Sequence, residues 1–166
     1  PGTGFAVGDG GKIMARGGSG WSAQSSGTSQ AHLGVWAAST LDAWAVGRAG
    51  TLLHYDGVDW RDVGPGIGTD LHAVWGSGPQ DVWAVGASGV ILHWDGGGWT
   101  DLNPWYGISF HAVWGSGAGD VYLAGENGGI VHHDGTDFTD LASGTNVTLR
   151  ALSGVSGRDV IAVGDA

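Results

Sequence analysis

Residues 72–99 read HAVWGSGPQDVWAVGASGVILHWDGGGW, and 39 residues further on, from His111, the chain writes HAVWGSGAGDVYLAGENGGIVHHDGTDF. The same step holds at independent landmarks. Asp42, Asp81, Asp120 and Asp159 each open one phrase, DAWAVG, DVWAVG, DVYLAG and DVIAVG, and a fifth copy, TGFAVG, starts at Thr3. Gly8, Gly47, Gly86, Gly125 and Gly164 close the phrase, while Trp36, Trp75 and Trp114, and Trp21, Trp60, Trp99 and Phe138, keep the same phase. A period of this length marks a repeat architecture.

Each unit holds four short runs rich in Val, Ile, Leu and Trp. In the clearest copy these are a, Leu71–Trp75; b, Val82–Val85; c, Val90–Trp94; and d, Trp99–Leu102. They are too short for helices and are separated by GSGPQD, GASG and DGGG, whose residues tolerate positive φ. Asp56-Gly57, Asp95-Gly96 and Asp134-Gly135 are hairpin-turn dipeptides. In VILHW, Val90, Leu92 and Trp94 point one way and Ile91 and His93 the other, so both faces expect burial. Four antiparallel strands per repeat, packed on both sides, predict an all-β β-propeller; a β-solenoid is the rival, with shorter coils.

The chain is read as one propeller domain or propeller fragment over residues 1–166. Its units run approximately 1–32 (partial), 33–70, 71–109, 110–148 and 149–166 (partial). Strand b occurs five times and a, c and d four times each. A four-bladed ring has one b strand too many and a five-bladed ring lacks three strands, so three complete blades flanked by two partial ones are expected. They are cut from a larger propeller or completed by another copy of the chain, with self-association through the incomplete ends. The opening Pro1-Gly2-Thr3-Gly4 already lies inside a repeat and reads as an excerpt or an engineered start. A secreted, periplasmic or cell-surface setting is expected.

Composition narrows the function. Sixteen acidic residues against 6 Lys and Arg give a net charge of −10, which argues against nucleic acid and anionic membrane surfaces. No apolar run approaches the roughly 18 residues of a membrane span, and with no cysteine there are neither disulfides nor thiolate metal sites. The 35 glycines read as turn punctuation because apolar periodicity persists between them.

The phrase DVWAVGASGVILHWDGGGW resembles the short-blade bacterial β-propellers, whose repeats read Val-Gly, a turn, Ile-Leu-His, then Asp-Gly and Trp. It is similar also to Asp-box repeats and to the propellers of photosystem assembly factors. The resemblance covers nearly the whole chain and implies the fold. One departure stands out. Asp95 to Trp99, Asp56 to Trp60 and Asp134 to Phe138 are four apart, one residue closer than in Asp boxes, so no Asp-box activity is carried over.

The phased Asp42, Asp81, Asp120 and Asp159 are assigned to turns, each carboxylate accepting backbone N–H bonds. One Asp per repeat does not supply the oxygens of a calcium site. His54, His93 and His132 share one register and His72 and His111 another, with Leu33 and Arg150 in the second register's other copies. A structural histidine, like that of WD-repeat blades, is favoured over a ring of metal ligands. No metal site, catalytic set or cofactor is expected: there is no Ser-His-Asp spacing, Gly-x-Ser-x-Gly elbow or phosphate loop. Sialidases on Asp-box propellers need clustered arginines and a Tyr/Glu pair, whereas Arg16, Arg48, Arg61, Arg150 and Arg158 fall at different phases and Glu126 is the sole glutamate.

Trp105 and Tyr106, in the linker NPWYGIS, have no counterpart in the linkers at 64–70 and 25–31. They are the candidate ligand-binding residues, expected to be more exposed than Trp75 and Trp114. The function read from the sequence is a noncatalytic module presenting loops to a protein partner. The alternatives are a multivalent carbohydrate-binding propeller and a glycosidase-type fragment.

Overall fold

Alternating apolar runs and Gly/Asp turns fold into five antiparallel sheets in the computed structural model, which describes residues 4–103 and 106–166. The first sheet is β1 (Gly4–Val7), β2 (Ile13–Gly17) and β3 (Gly20–Gln24). Three four-stranded sheets follow: β4 (His32–Ser39), β5 (Asp42–Gly47), β6 (Leu52–Tyr55) and β7 (Trp60–Asp62); β8 (Leu71–Gly78), β9 (Asp81–Gly86), β10 (Ile91–Trp94) and β11 (Trp99–Asp101); and β12 (Phe110–Gly117), β13 (Asp120–Gly125), β14 (Ile130–His133) and β15 (Phe138–Leu141). The last sheet is β16 (Leu149–Ser156) and β17 (Asp159–Gly164). Every ladder joins sequence neighbours, so the sheets are blades in the order b-c-d, a-b-c-d three times, then a-b. This is a β-propeller fold with three complete blades between two partial ones. The two terminal b strands, β1 and β17, stand in different sheets.

The a strands β4, β8, β12 and β16 lie side by side, each against the next, as inner strands about an axis. Each carries two bulges. In β8 the pairing steps from Leu71↔Gly86 to Ala73↔Val85 and from Gly76↔Val82 to Gly78↔Asp81, leaving His72 and Ser77 as extra residues. The a strands therefore run longer than the apolar pattern alone suggests.

Blades pack by a repeated aromatic contact. The residue at one position of strand b meets a c residue and a d residue of the following blade. Phe5 lies 5.5 Å from both Tyr55 and Trp60; Trp44 lies 5.3 Å from Trp94 and 5.4 Å from Trp99; Trp83 lies 4.9 Å from His133 and 6.4 Å from Phe138. Around these rings sit clusters of Val, Leu and Ile from both blades. Burying one such aromatic ring contributes about 2–3 kcal/mol. A second contact needs glycine. Trp36, Trp75 and Trp114 lie over Gly76, Gly115 and Gly154 of the next blade, where a Cβ would come within 2.7 Å, 2.6 Å and 2.6 Å of the indole.

The b–c turns are single 3-10 turns whose middle residue is left-handed: Gly10, Ala49, Ser88 and Asn127, with φ of 64°, 53°, 55° and 57°. The d–a linkers fold back over them. A Cβ on Gly89 would stand 1.9 Å from the Tyr106 carbonyl oxygen, and one on Gly128 2.1 Å from that of Thr145.

Candidate functional site

The propeller has two ends. The a–b and c–d hairpins make one; the b–c turns and d–a linkers make the other.

At the hairpin end, pleating puts Asp81 and His93 on one face of adjacent strands, because His93 pairs with Trp83, two residues beyond Asp81. His93 Nε2 donates to Asp81 Oδ1 at 2.7 Å, Trp83 Nε1 to the same oxygen at 3.1 Å, and the bulged Ser77 hydroxyl to Oδ2 at 2.5 Å. The His93 ring lies 4.4 Å from that of Trp83. Blade four repeats the set: His132 Nε2 lies 2.7 Å from Asp120, Ser116 bonds the other carboxylate oxygen, and His132 stacks on Tyr122. In blade two His54 reaches Asp42 at 2.9 Å and stacks on Trp44, with Ala38 in the serine position. Desolvation pushes the Asp81 carboxyl up, but hydrogen bonds from Ser77, His93 and Trp83 outweigh it and hold the group below the ordinary carboxylate range. Asp120 shows the same direction, with the corresponding donors Ser116 and His132 offsetting desolvation.

This corrects the assignment made from sequence. The phased carboxylates Asp42, Asp81 and Asp120 do stand at turns, but their partners are side chains of their own blade. Asp159 likewise takes the Ser156 hydroxyl, at 3.2 Å. The backbone-accepting role belongs to the Asp-Gly aspartates: Asp95 Oδ1 accepts from Gly97 N at 2.8 Å and Gly98 N at 3.1 Å, and Asp56 and Asp134 repeat the pattern. These backbone donors lower the carboxyl pKa at all three.

At the linker end, the first bulge of each a strand places Leu33, His72, His111 and Arg150 at one level on four adjacent inner strands. The imidazoles of His72 and His111 stack at 4.8 Å with planes 17° apart, and His72 Nδ1 donates to the Phe110 carbonyl at 2.8 Å. Arg150 forks onto Asp165 at 2.7 and 2.8 Å, and Glu126 Oε2 accepts from Ser109 N at 2.8 Å. Burial lowers the His111 pKa, His72 and Arg150 lower it further, and Glu126 and Asp165 pull it up. Arg48 pairs with Asp70 at 3.6 Å on the same end. Among the described residues no three His, Asp or Glu side chains converge in a metal-binding group.

Of the aromatic linker pair, Trp105 lies outside the described residues. Tyr106 is half-buried, as Trp75 and Trp114 are. Its ring meets Phe110 edge-on at 5.5 Å, and its N–H donates to Asn103 Oδ1. Burial and the neighbouring Asp140 push the phenol up to about 12. The extra tyrosine thus serves as packing for the linker. The sequence carries this row as one register whose copies read Leu, His, His and Arg; that the four are bulge residues on adjacent inner strands comes from the pairing of the strands.

Comparison with known proteins supports the fold. The chain is similar to the structure described as YCF48 bound to D1 peptide, with a TM-score of 0.75 at 17% identity over 99% of this chain and 58% of that one. It is similar also to YCF48 from Cyanidioschyzon merolae (0.69, 15%, 99% and 64%) and to the WD40 β-propeller domain of Doa1 (0.66, 11%, 96% and 59%). The chain spans less than two thirds of the length of each. No protein-family model and no curated protein matches it.

Proposed function

We propose that this chain is a noncatalytic protein-interaction module that holds a peptide segment across the linker end of its inner strands. The observation that carries this is the row Leu33, His72, His111 and Arg150. Positions that pack the blades stay apolar or aromatic in almost every copy, whereas this row passes from Leu through two His to Arg while keeping its place. A row of different side chains on a rigid, repeating frame suits recognition of one irregular ligand. It suits a series of identical sugars less well, because the recurring aromatics a multivalent lectin would present are stacked between blades. The similar fold of YCF48 in its complex with D1 peptide supports a propeller of this kind receiving a peptide. The Trp105–Tyr106 linker is the weaker site, since the Tyr106 ring is engaged with Phe110.

The test is selection of binders from a displayed random-peptide library, with affinities then measured against the parent chain and against His111→Ala and Arg150→Ala. Selected peptides should lose binding in both variants while Trp21→Ala leaves it intact. Peptides that bind both variants as well as the parent chain would remove the site from the linker end. Sugars retained on a glycan array, with no selected peptides, would favour a lectin.

A further inference from the structure

At the linker end each blade sets two positions side by side. The residue that follows strand b donates its N–H to the carbonyl two residues before the bulge: Arg48 to Ala31 at 2.9 Å, Ala87 to Asp70 at 2.9 Å, Glu126 to Ser109 at 3.0 Å and Asp165 to Thr148 at 2.9 Å. This bond holds it beside the bulge residue of its own blade. In the last blade it brings the Asp165 carboxylate onto Arg150. In blade four it brings Glu126 to His111, whose pKa it pulls up, and onto the Ser109 N–H at 2.8 Å. In blade three the same place, beside His72, holds Ala87.

Blade three thus has the base without the acid. His72 Nδ1 donates to the Phe110 carbonyl at 2.8 Å, which fixes the tautomer and leaves Nε2 without a partner among the described residues. The other groups packed around this imidazole are accounted for. His111 of β12 stacks on it. Leu33 stands at its level on β4. On the turn of blade two, Arg48 pairs with Asp70 at 3.6 Å, and Asp70 also accepts from Ala49 N at 2.8 Å. The Arg48–Asp70 and Arg150–Asp165 pairs each cancel in charge, which leaves Glu126 against two imidazoles. The half-buried Ala87 ends at Cβ, so this place lacks both a carboxylate and the side chain that would carry one.

We propose that a carboxylate of the ligand completes blade three: an Asp or Glu side chain of the bound peptide takes the place over Ala87 that Glu126 and Asp165 fill in the blades that follow, accepting from His72 Nε2 and from the N–H of Asp70, the counterpart of Ser109. This rests on the reading of the linker end as a peptide site and names the residue class that the site selects. Nε2 donates only when the ring carries its second proton, so the site takes up a proton with its ligand and binding tightens as pH falls.

The probe is the capped pentapeptide Gly-Gly-Glu-Gly-Gly, with Gly-Gly-Gln-Gly-Gly as its neutral twin, titrated into the chain while the imidazole resonances of His72 are followed by NMR. The Glu peptide should shift them saturably and the Gln peptide should not. Its affinity should rise several-fold from about pH 7.5 to about pH 5.5. Ala87→Glu, which supplies the carboxylate from the chain itself as blade four does, should weaken Glu-peptide binding by roughly tenfold or more, and His72→Ala should do the same. Equal shifts from the two peptides, no shift from either, or undiminished binding by Ala87→Glu overturns the proposal. The two readings fail separately. Library-selected peptides that need His111 and Arg150 but keep their affinity when every Asp and Glu becomes Asn and Gln overturn the carboxylate site and leave the peptide module standing. A Glu peptide that binds at His72 while the library yields no binder leaves the carboxylate site and removes the wider peptide groove.

Discussion

Asp81 and His93 are twelve residues apart in sequence and 2.7 Å apart in space, joined across two strands of one blade by a carboxylate that also takes Trp83 and Ser77. Replacing Asp81 by Ala leaves three donors without an acceptor on a side chain only 16% exposed, and should cost about 1–3 kcal/mol. Asp159→Ala, at an exposed carboxylate bonded to Ser156, should cost under about 0.5 kcal/mol. Urea unfolding of the two variants checks the difference. Since the folded-state pKa of Asp81 is depressed, its contribution is complete above the ordinary carboxylate value near 4 and fades as pH falls through the folded-state value.

His32 imposes a second pH dependence at a higher range. It is 3% exposed, and among the described residues neither ring nitrogen has a partner. Burial lowers its pKa from 6.5, so the unfolded chain binds a proton before the folded one does. His133 shifts in the same direction, chiefly by burial. Stability should therefore decline as pH falls below about 6.5. The register supplies the remedy, since the same position is Leu71, Phe110 and Leu149 elsewhere. His32→Leu should raise stability by about 1–3 kcal/mol and flatten the profile between about pH 6.5 and 5. Thermal melts at the two pH values test both statements.

The b–c turns give a pair of opposite outcomes. Ala49 sits at φ 53°. Left-handed backbone costs a non-glycine residue about 1–2 kcal/mol, and Ala49→Gly should recover up to about 1 kcal/mol after the added chain entropy. Gly89→Ala meets the Tyr106 carbonyl oxygen at 1.9 Å and should lose about 1–3 kcal/mol. Chemical denaturation midpoints of the two should move in opposite directions.

Trp60 Nε1 donates to Gln24 Oε1 of the preceding blade at 2.7 Å, while Trp99 Nε1, one repeat later, is buried without a partner among the described residues. The residue one period on from Gln24 is Val63, which has no acceptor to offer. Gln24→Val should destabilise by about 1–3 kcal/mol by orphaning the indole, and Val63→Gln should stabilise by about 1 kcal/mol by satisfying one. Calorimetric melting of each variant decides it.

The histidine and aspartate registers were legible as registers, not as partners. A spacing of twelve places His93 and Asp81 in neighbouring runs, but which faces they share follows from how β9 and β10 pair, and that is set by the turn at 87–89. The row Leu33, His72, His111 and Arg150 was likewise legible as a register and not as a shared face, for a related reason. Each residue is a bulge, which breaks the two-residue alternation by which faces are read from sequence.

The sequence by itself determined the 39-residue unit, its four strands, the Asp-Gly turns and the propeller, because each follows from local backbone preference and from apolar periodicity repeated in phase. Strand bounds followed closely where turns were sharp, as at Trp94 and Trp99, and fell short in the a strands, where Leu71–Trp75 extends to Gly78. Only the tertiary structure decided which aromatic meets which across blades and that Tyr106 packs on Phe110. Those relations depend on how one blade is set against the next. That setting arises from close packing of side chains some fifty residues apart, as Trp44 with Trp94, and no local preference encodes it.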